Sequence, residues 1–155
     1  MRIAEAFGMK VLVAEHKNAP TIRAGRVPFD QMLAEADVVT LHCPLTPDTR
    51  NLIAEAELRM MKPTSVLINV ARGGVVDEFV LAQALREGWI AGAGVDVLTS
   101  EPPRSGNPLL EMAGPNCILA PHVAWASQQA MARLAEEIVC NIEAFYAGKP
   151  RNRVV

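Results

Sequence analysis

A doubly wound α/β sheet with parallel strands is the fold this sequence predicts, on three observations. Short, continuously apolar runs recur along the chain, helix-patterned stretches with recognisable ends separate them, and polar residues gather just after the apolar runs. Continuous apolarity, as opposed to alternation, is expected of parallel strands covered on both faces. Alternation of strand and helix then implies right-handed crossovers on one sheet.

Taken in order, the chain opens in a helical stretch, Arg2 to Phe7, closed by Gly8. Val11-Leu12-Val13-Ala14 is the first expected strand and Val38-Val39-Thr40-Leu41 the second. Val66-Leu67-Ile68 is the third, Gly94-Val95-Asp96-Val97 the fourth, and Ile118-Leu119-Ala120 the fifth. Met60-Met61 reads as a helix end packed on the sheet. Asp77 is placed to cap a helix through Val80, Leu81, Ala84 and Leu85, which Gly88 can stop in a left-handed turn. The last helix carries Met131, Leu134, Ile138, Ile142 and Phe145 at three- and four-residue steps, a stripe that reads as core. Gly148 and Pro150 end it.

Composition narrows the class. The 155 residues are half hydrophobic and about one-fifth charged, as in a globular domain. A net charge of −2 gives no basic excess, which argues against nucleic acid or an anionic membrane as partner. No apolar run approaches the roughly 20 residues needed to span a bilayer. The three cysteines, Cys43, Cys117 and Cys140, are widely spaced and fit no metal-ligand pattern, a usage that suits a reducing cytoplasm.

In open parallel sheets, ligands bind beyond the carboxyl ends of the strands. There the sequence places Glu15-His16-Lys17, His42-Cys43-Pro44-Leu45, Asn69-Val70-Ala71-Arg72-Gly73-Gly74, Asp96 with Glu101, and Pro121-His122-Val123-Ala124-Trp125. Two carboxylates, an arginine and a histidine thus stand in the positions where chemistry is expected. The glycine-rich turn of a dinucleotide-binding unit, G-x-G-x-x-G, does not occur in the 155 residues.

Four of these runs, His42–Thr46, Asn69–Gly74, Gly94–Val97 and Pro121–Trp125, closely resemble the D-isomer-specific 2-hydroxyacid dehydrogenases. Ala14-Glu15-His16-Lys17 and Glu101-Pro102-Pro103 are most similar to the glycerate dehydrogenase / hydroxypyruvate reductase group. The resemblance implies a Rossmann-like sheet lacking its first strand and glycine turn. On that reading residues 1–155 form a partial dinucleotide-binding domain, with the substrate domain absent save at most at the C-terminal end. It further implies that the absent strand belongs between the strand ending at Glu15 and the one ending at Asn69, leaving two part-sheets with unpaired inner edges.

The resemblance also assigns roles. Arg72 would bind the carboxylate of a 2-keto acid, for which a guanidinium offers a planar fork. Its neighbours Gly73 and Gly74 would let the backbone approach a ligand. His122 would supply or accept the proton at the substrate oxygen, and Glu101 would pair with it and favour the imidazolium. Glu15 would bind the adenosine ribose of NAD and repel a 2′-phosphate, a preference that Lys17 weakens; a solvated acid is its other reading. Asp96 would meet the nicotinamide carboxamide, or else cap a turn. Cys43, Pro44, Thr49, Val70, Ala71 and Ala124 would contribute cofactor contacts, and Arg72 and His122 would touch the cofactor as well as the substrate; Cys43 is expected to be a small buried thiol and no nucleophile. Trp125 borders the substrate or fills core or interface, and His16 and His42 carry no assignment.

An NAD-dependent oxidoreductase acting on a small D-2-hydroxy acid is therefore expected, with a homo-oligomer formed through this domain. With no glycine turn in the chain, the 155 residues alone are expected to turn over weakly or not at all. A non-catalytic remnant that only folds or associates is the competing reading. An S-adenosylmethionine-binding enzyme shares the sheet but leaves the arginine and histidine loops without a purpose.

Overall fold

The computed structural model describes residues 2–154. The chain divides into two compact units, residues 1–121 and 122–155. The first holds α1 (Arg2–Ala6), α2 (Phe29–Glu35), β1 (Val38–Leu41), α3 (Glu55–Met60), β2 (Val66–Asn69), α4 (Glu78–Glu87), β3 (Gly92–Val95) and β4 (Cys117–Leu119), with a 3₁₀ turn at Pro108–Met112. The second holds α5 (Gln128–Tyr146).

The strands form one parallel sheet in the order β1-β2-β3-β4. Their register sets Leu41, Asn69 and Val95 side by side, with Leu119 beyond Val95. Two glycines allow this spacing. A Cβ on Gly92 would come within 3.0 Å of the Asn116 carbonyl, and one on Gly94 within 3.0 Å of Ile68 Cδ1. β3 begins two residues before the expected strand and ends at Val95, although Asp96 N–H still donates to Asn69 O at 3.0 Å.

Side chains alternate across the ladder. Val39, Leu41, Leu67, Ala93, Val95 and Cys117 point into one core together with Leu33 of α2, Leu58 of α3, and Leu81, Ala84 and Leu85 of α4. On the other face Val38, Thr40 and Ile118 are exposed, and Val66 and Ile68 are half-buried. The expectation of cover on both faces thus holds on one face among the described residues. Both sets are apolar except for Thr40, which is why the runs read as continuous; α2, α3 and α4 cover only one of them.

The first expected strand is not a ladder strand. Residues 11–14 make one isolated parallel bridge, Ala14 to Val27, through Glu15 N–H to Val27 O and Val27 N–H to Val13 O, both 2.9 Å. A strand needs a run of partner groups, and here the partner is one residue long. Leu12, Ala14 and Val27 still pack against the core. The predicted gap also needs correction. β2, which ends at Asn69, is hydrogen-bonded on both edges, and the described strands form a single sheet, so its open edges are those of β1 and β4.

Helix ends follow local chemistry. Asp77 accepts from Phe79 and Val80 N–H at 3.1 Å each, and Gly88 closes α4 at φ 71°. Arg59 of α3 lies 3.6 Å over the Trp89 ring, whose Nε1 donates to Glu87 at 2.9 Å, so the two helices are cross-tied. α3 ends as expected, with Met61 buried and Met60 partly exposed.

In the second unit Ser127 caps α5 by accepting from Ala130 N–H at 3.1 Å. Arg151 folds back onto Glu137 and Asn141 at 2.7 and 2.6 Å. The stripe expected to be core is exposed, from Met131 at 42% to Phe145 at 81%. Among the described residues this unit contains a single helix and a tail, so no second element within it can bury the stripe. No described helix is long and apolar enough to cross a membrane.

One-sided burial makes a direct comparison possible. Leu67→Ala removes a side chain with no exposed surface and should destabilise the chain by about 2–5 kcal/mol. Ile118→Ala, on the open face at 71% exposure, should change stability by less than about 0.5 kcal/mol. Urea midpoints of the two variants check this, and equal losses would contradict it.

Candidate active site

Parallel register brings three loops of the first unit to one sheet edge, following Leu41, Asn69 and Val95. The central loop is shaped by Asn69, which is buried. Its Oδ1 accepts from Ala71 N–H at 3.1 Å and its Nδ2 donates to Arg72 O at 3.0 Å. Arg72 is exposed, and its Nη1 donates to Ala71 O at 2.6 Å. A guanidinium has five N–H donors, so most of its fork remains to receive an anion. Val70 is exposed and Ala71 packs against the core.

Gly73 is also required by a contact within the protein. A Cβ there would collide with the Leu98 carbonyl and Thr99 N, so Gly73 lets two backbones of the protein meet. Gly74 takes φ 80°, which favours glycine. This packing fixes the loop bearing Arg72 against the loop bearing Glu101. Glu101 is exposed, and its Oε1 accepts from Leu98 N–H at 2.8 Å. Glu78 holds the same loop from α4: its carboxylate accepts from Thr99 N–H at 2.6 Å, from Thr99 Oγ1 at 2.8 Å, and from Asn107 Nδ2. Sequence reasoning gave no role to Asn69 or Glu78. The only signal was position, Asn69 at a strand end and Glu78 beside a helix cap.

After β1, Thr40 Oγ1 and His42 Nε2 lie 3.0 Å apart. Thr49 ties the following turn, its hydroxyl donating to Pro44 O at 2.6 Å and accepting from Thr46 N–H at 2.7 Å. Cys43 is half-buried, and burial pushes its thiol above the ordinary value, which disfavours a nucleophilic thiolate. Asp96 is buried at the end of β3.

Glu15 is a heavily engaged carboxylate of the first unit. At 3% exposure it accepts from His16 N–H at 2.9 Å, Arg23 N–H at 3.3 Å, Arg23 Nε at 2.7 Å and Arg23 Nη2. Arg26 Nη1 lies 3.8 Å away. The Arg23 guanidinium, helped by the two backbone N–H groups, outweighs burial and holds this carboxyl well below the usual carboxylate range. Sequence reading named Lys17 as the neighbouring cation. Lys17 instead pairs with Glu57 at 2.6 Å. Burial pushes the Glu57 carboxyl up, but Lys17 and the Ala54 N–H outweigh it and leave a net lowering. Eight residues of separation hid Arg23.

In the second unit His122 takes φ 56°, and its carbonyl accepts from Trp125 Nε1 at 2.8 Å. Trp125 is 54% exposed, so the core reading does not hold for it. Val123 and Ala124 are exposed beside it.

The Glu15 geometry sets an acid limb on stability. Its folded carboxyl ionises below the ordinary 4.5, so the unfolded chain takes up this proton first as pH falls. The contribution is complete above about pH 4.5 and is lost as pH drops toward the folded value. Glu15→Gln should flatten the fall in melting temperature between about pH 5 and pH 3 relative to the parent. Identical acid limbs would contradict the ion pair.

Residues 1–124 match the model of the D-isomer specific 2-hydroxyacid dehydrogenase NAD binding domain. The chain is similar to a glycerate dehydrogenase of Methylorubrum extorquens, 52% identical over 97% of this chain and 47% of that protein. It is also similar to a glyoxylate reductase of Korarchaeum cryptofilum, 43% identical over 99% of this chain and 47% of that protein. Among solved structures, the NAD-complexed D-isomer specific 2-hydroxyacid dehydrogenase from Lactobacillus delbrueckii ssp. bulgaricus superposes with a TM-score of 0.84. That match has 32% identity and covers 99% of this chain and 50% of the other. The chain spans about half the length of the curated relatives it matches. With a Rossmann-like parallel sheet and these strand-end loops, it belongs to the D-isomer-specific 2-hydroxyacid dehydrogenase family, within its NAD-binding domain.

Proposed function

We propose that this chain is the cofactor-binding part of an oxidoreductase that interconverts a small D-2-hydroxy acid and its 2-keto acid with NAD, of the glycerate/hydroxypyruvate or glyoxylate type. The observation that carries the reading is the Arg72 loop. Asn69 and the Gly73–Leu98 contact fix its backbone, while the guanidinium itself stays exposed at the carboxyl edge of the sheet. Rigid backbone under an open fork suits recognition of a planar carboxylate.

The residues present fit the cofactor. The ends of β1, β2 and β3 deliver Cys43, Pro44, Thr49, Val70, Ala71 and Asp96 to one edge, the place where dinucleotides lie on such sheets. Glu15 would serve the adenosine ribose and Ala124 the nicotinamide side. When bound, NADH supplies the hydride. Arg72 would hold the substrate carboxylate and polarise the adjoining carbonyl. His122 would give its proton to the carbonyl oxygen during reduction and take the hydroxyl proton back during oxidation. Glu101 would favour the imidazolium that makes the first of these steps possible. A cytoplasmic protein is consistent with this chemistry and with three free cysteines.

Self-association is the second reading, favoured by the exposed stripe Met131, Leu134, Ile138, Ile142 and Phe145 along α5. Apolar patches beyond a few hundred Å² commonly find partners. A homo-oligomer accommodates it, and light scattering at micromolar concentration reports it directly.

The catalytic reading is tested by paired measurements on the purified chain, calorimetric NADH binding and steady-state reduction of hydroxypyruvate and glyoxylate. Saturable NADH binding, displaced by NAD, is expected. Whatever turnover accompanies it should fall about 10²–10⁴-fold in His122→Ala while NADH still binds saturably. Absence of NADH binding, or turnover indifferent to His122, overturns the proposal.

A further inference from the structure

The inference at the adenosine end rests on the proposed role of Glu15 as the acid that meets the ribose. An ionised carboxylate offers about four lone-pair positions. In Glu15 all four are taken: Oε1 by His16 N–H and Arg23 Nη2, Oε2 by Arg23 N–H and Arg23 Nε. A ribose diol binds an acid by donating into those same positions, so it can engage Glu15 only by displacing Arg23.

The charge around the carboxylate is also reversed from that of a lone acid. Arg26 stands 3.8 Å from Oε1 and donates to Ala14 O at 2.9 Å, so one carboxylate faces two guanidiniums. Lys17 does not alter this balance, because it is neutralised by Glu57. Arg23 uses Nε and one Nη2 hydrogen on Glu15, and its side chain is 56% exposed. Three of its five N–H donors therefore remain for an anion.

We propose that Arg23 is the specificity-determining residue of the adenosine end, and that it opens this site to a 2′-phosphorylated adenosine as well as to the diol. The phosphate would be received by the outer donors of Arg23 with Arg26 beside it. Glu15 then acts as the anchor that orients Arg23, and no longer as the charge that repels phosphate. Specificity is a difference of two affinities, and Arg23 acts on both: it competes with the diol and attracts the phosphate.

The test is calorimetric titration of the purified chain with ADP-ribose and with 2′-phospho-ADP-ribose, on the parent, Arg23→Ala, Arg23→Lys and Glu15→Gln. The parent should bind both probes within about tenfold of each other. Arg23→Ala should tighten ADP-ribose, weaken the phosphorylated probe, and move their ratio by about tenfold or more toward the diol. Arg23→Lys keeps the charge without the fork, and should release Glu15 to the diol while retaining affinity for the phosphate; it carries the test if Arg23→Ala does not fold. A parent that rejects the phosphorylated probe by more than about a hundredfold, or a ratio unmoved in both arginine variants, overturns the inference. If ADP-ribose binds and Glu15→Gln weakens it while the ratio ignores Arg23, the inference fails and the ribose reading stands. If neither probe binds any of the four proteins, the ribose reading itself fails and the inference falls with it.

Discussion

The in-register parallel ladder of β1 to β4 is the constraint on which the first unit depends. Each strand contributes alternate side chains to one buried face, with Leu67 near its middle, and a one-residue slip would turn that face outward. The same register decides where chemistry can occur. Because the strands run in one direction and end nearly level, their polar successors emerge on one edge. Fold and candidate site are therefore consequences of a single pairing pattern.

From that edge outward, order is kept by two polar side chains, Asn69, which is buried, and Glu78, which is half-buried. Asn69 supplies with its amide the hydrogen bonds that the backbone of residues 71 and 72 would otherwise lack, and Glu78 does the same for the loop after β3. Leaving the buried Asn69 amide unpaired would cost about 1–3 kcal/mol, which favours the loop conformation that satisfies it. Gly73 adds a steric condition, since only a residue without a Cβ lets the two loop backbones meet. The side chains of Arg72 and Glu101 ride on this frame while remaining exposed. Around Glu15 the ordering is electrostatic, a buried acid whose charge is retained because the Arg23 guanidinium and the His16 and Arg23 N–H groups hold it.

Much of this was legible in the sequence, and the exceptions have physical causes. Val38–Leu41 is found as expected, Val66–Ile68 is extended by one residue, and Asp77 and Gly88 bound α4 as their side chains require. Residues 11–14 have the composition of a strand, but a strand is a property of a pair, and their partner lies only at Val27. The stripe on α5 has helical period, which identifies an amphipathic helix without saying what covers it. Propensity speaks for residues near in sequence. Arg23 on Glu15, and Glu78 on Thr99 and Asn107, are meetings across 8 to 29 residues, which no local pattern encodes. The strand-end loops were legible because parallel sheets place ligands there, whereas the supports that hold those loops still were not.

On the proposed function, the carboxyl edge of β1, β2 and β3 receives the dinucleotide. Amide hydrogen exchange with and without saturating NADH, followed residue by residue, tests it most directly. Protection gained in residues 42–49, 70–74 and 96–101, with the buried strands unchanged, is the predicted result. Protection confined to the opposite edge of the sheet, or no change in those three loops, would contradict it.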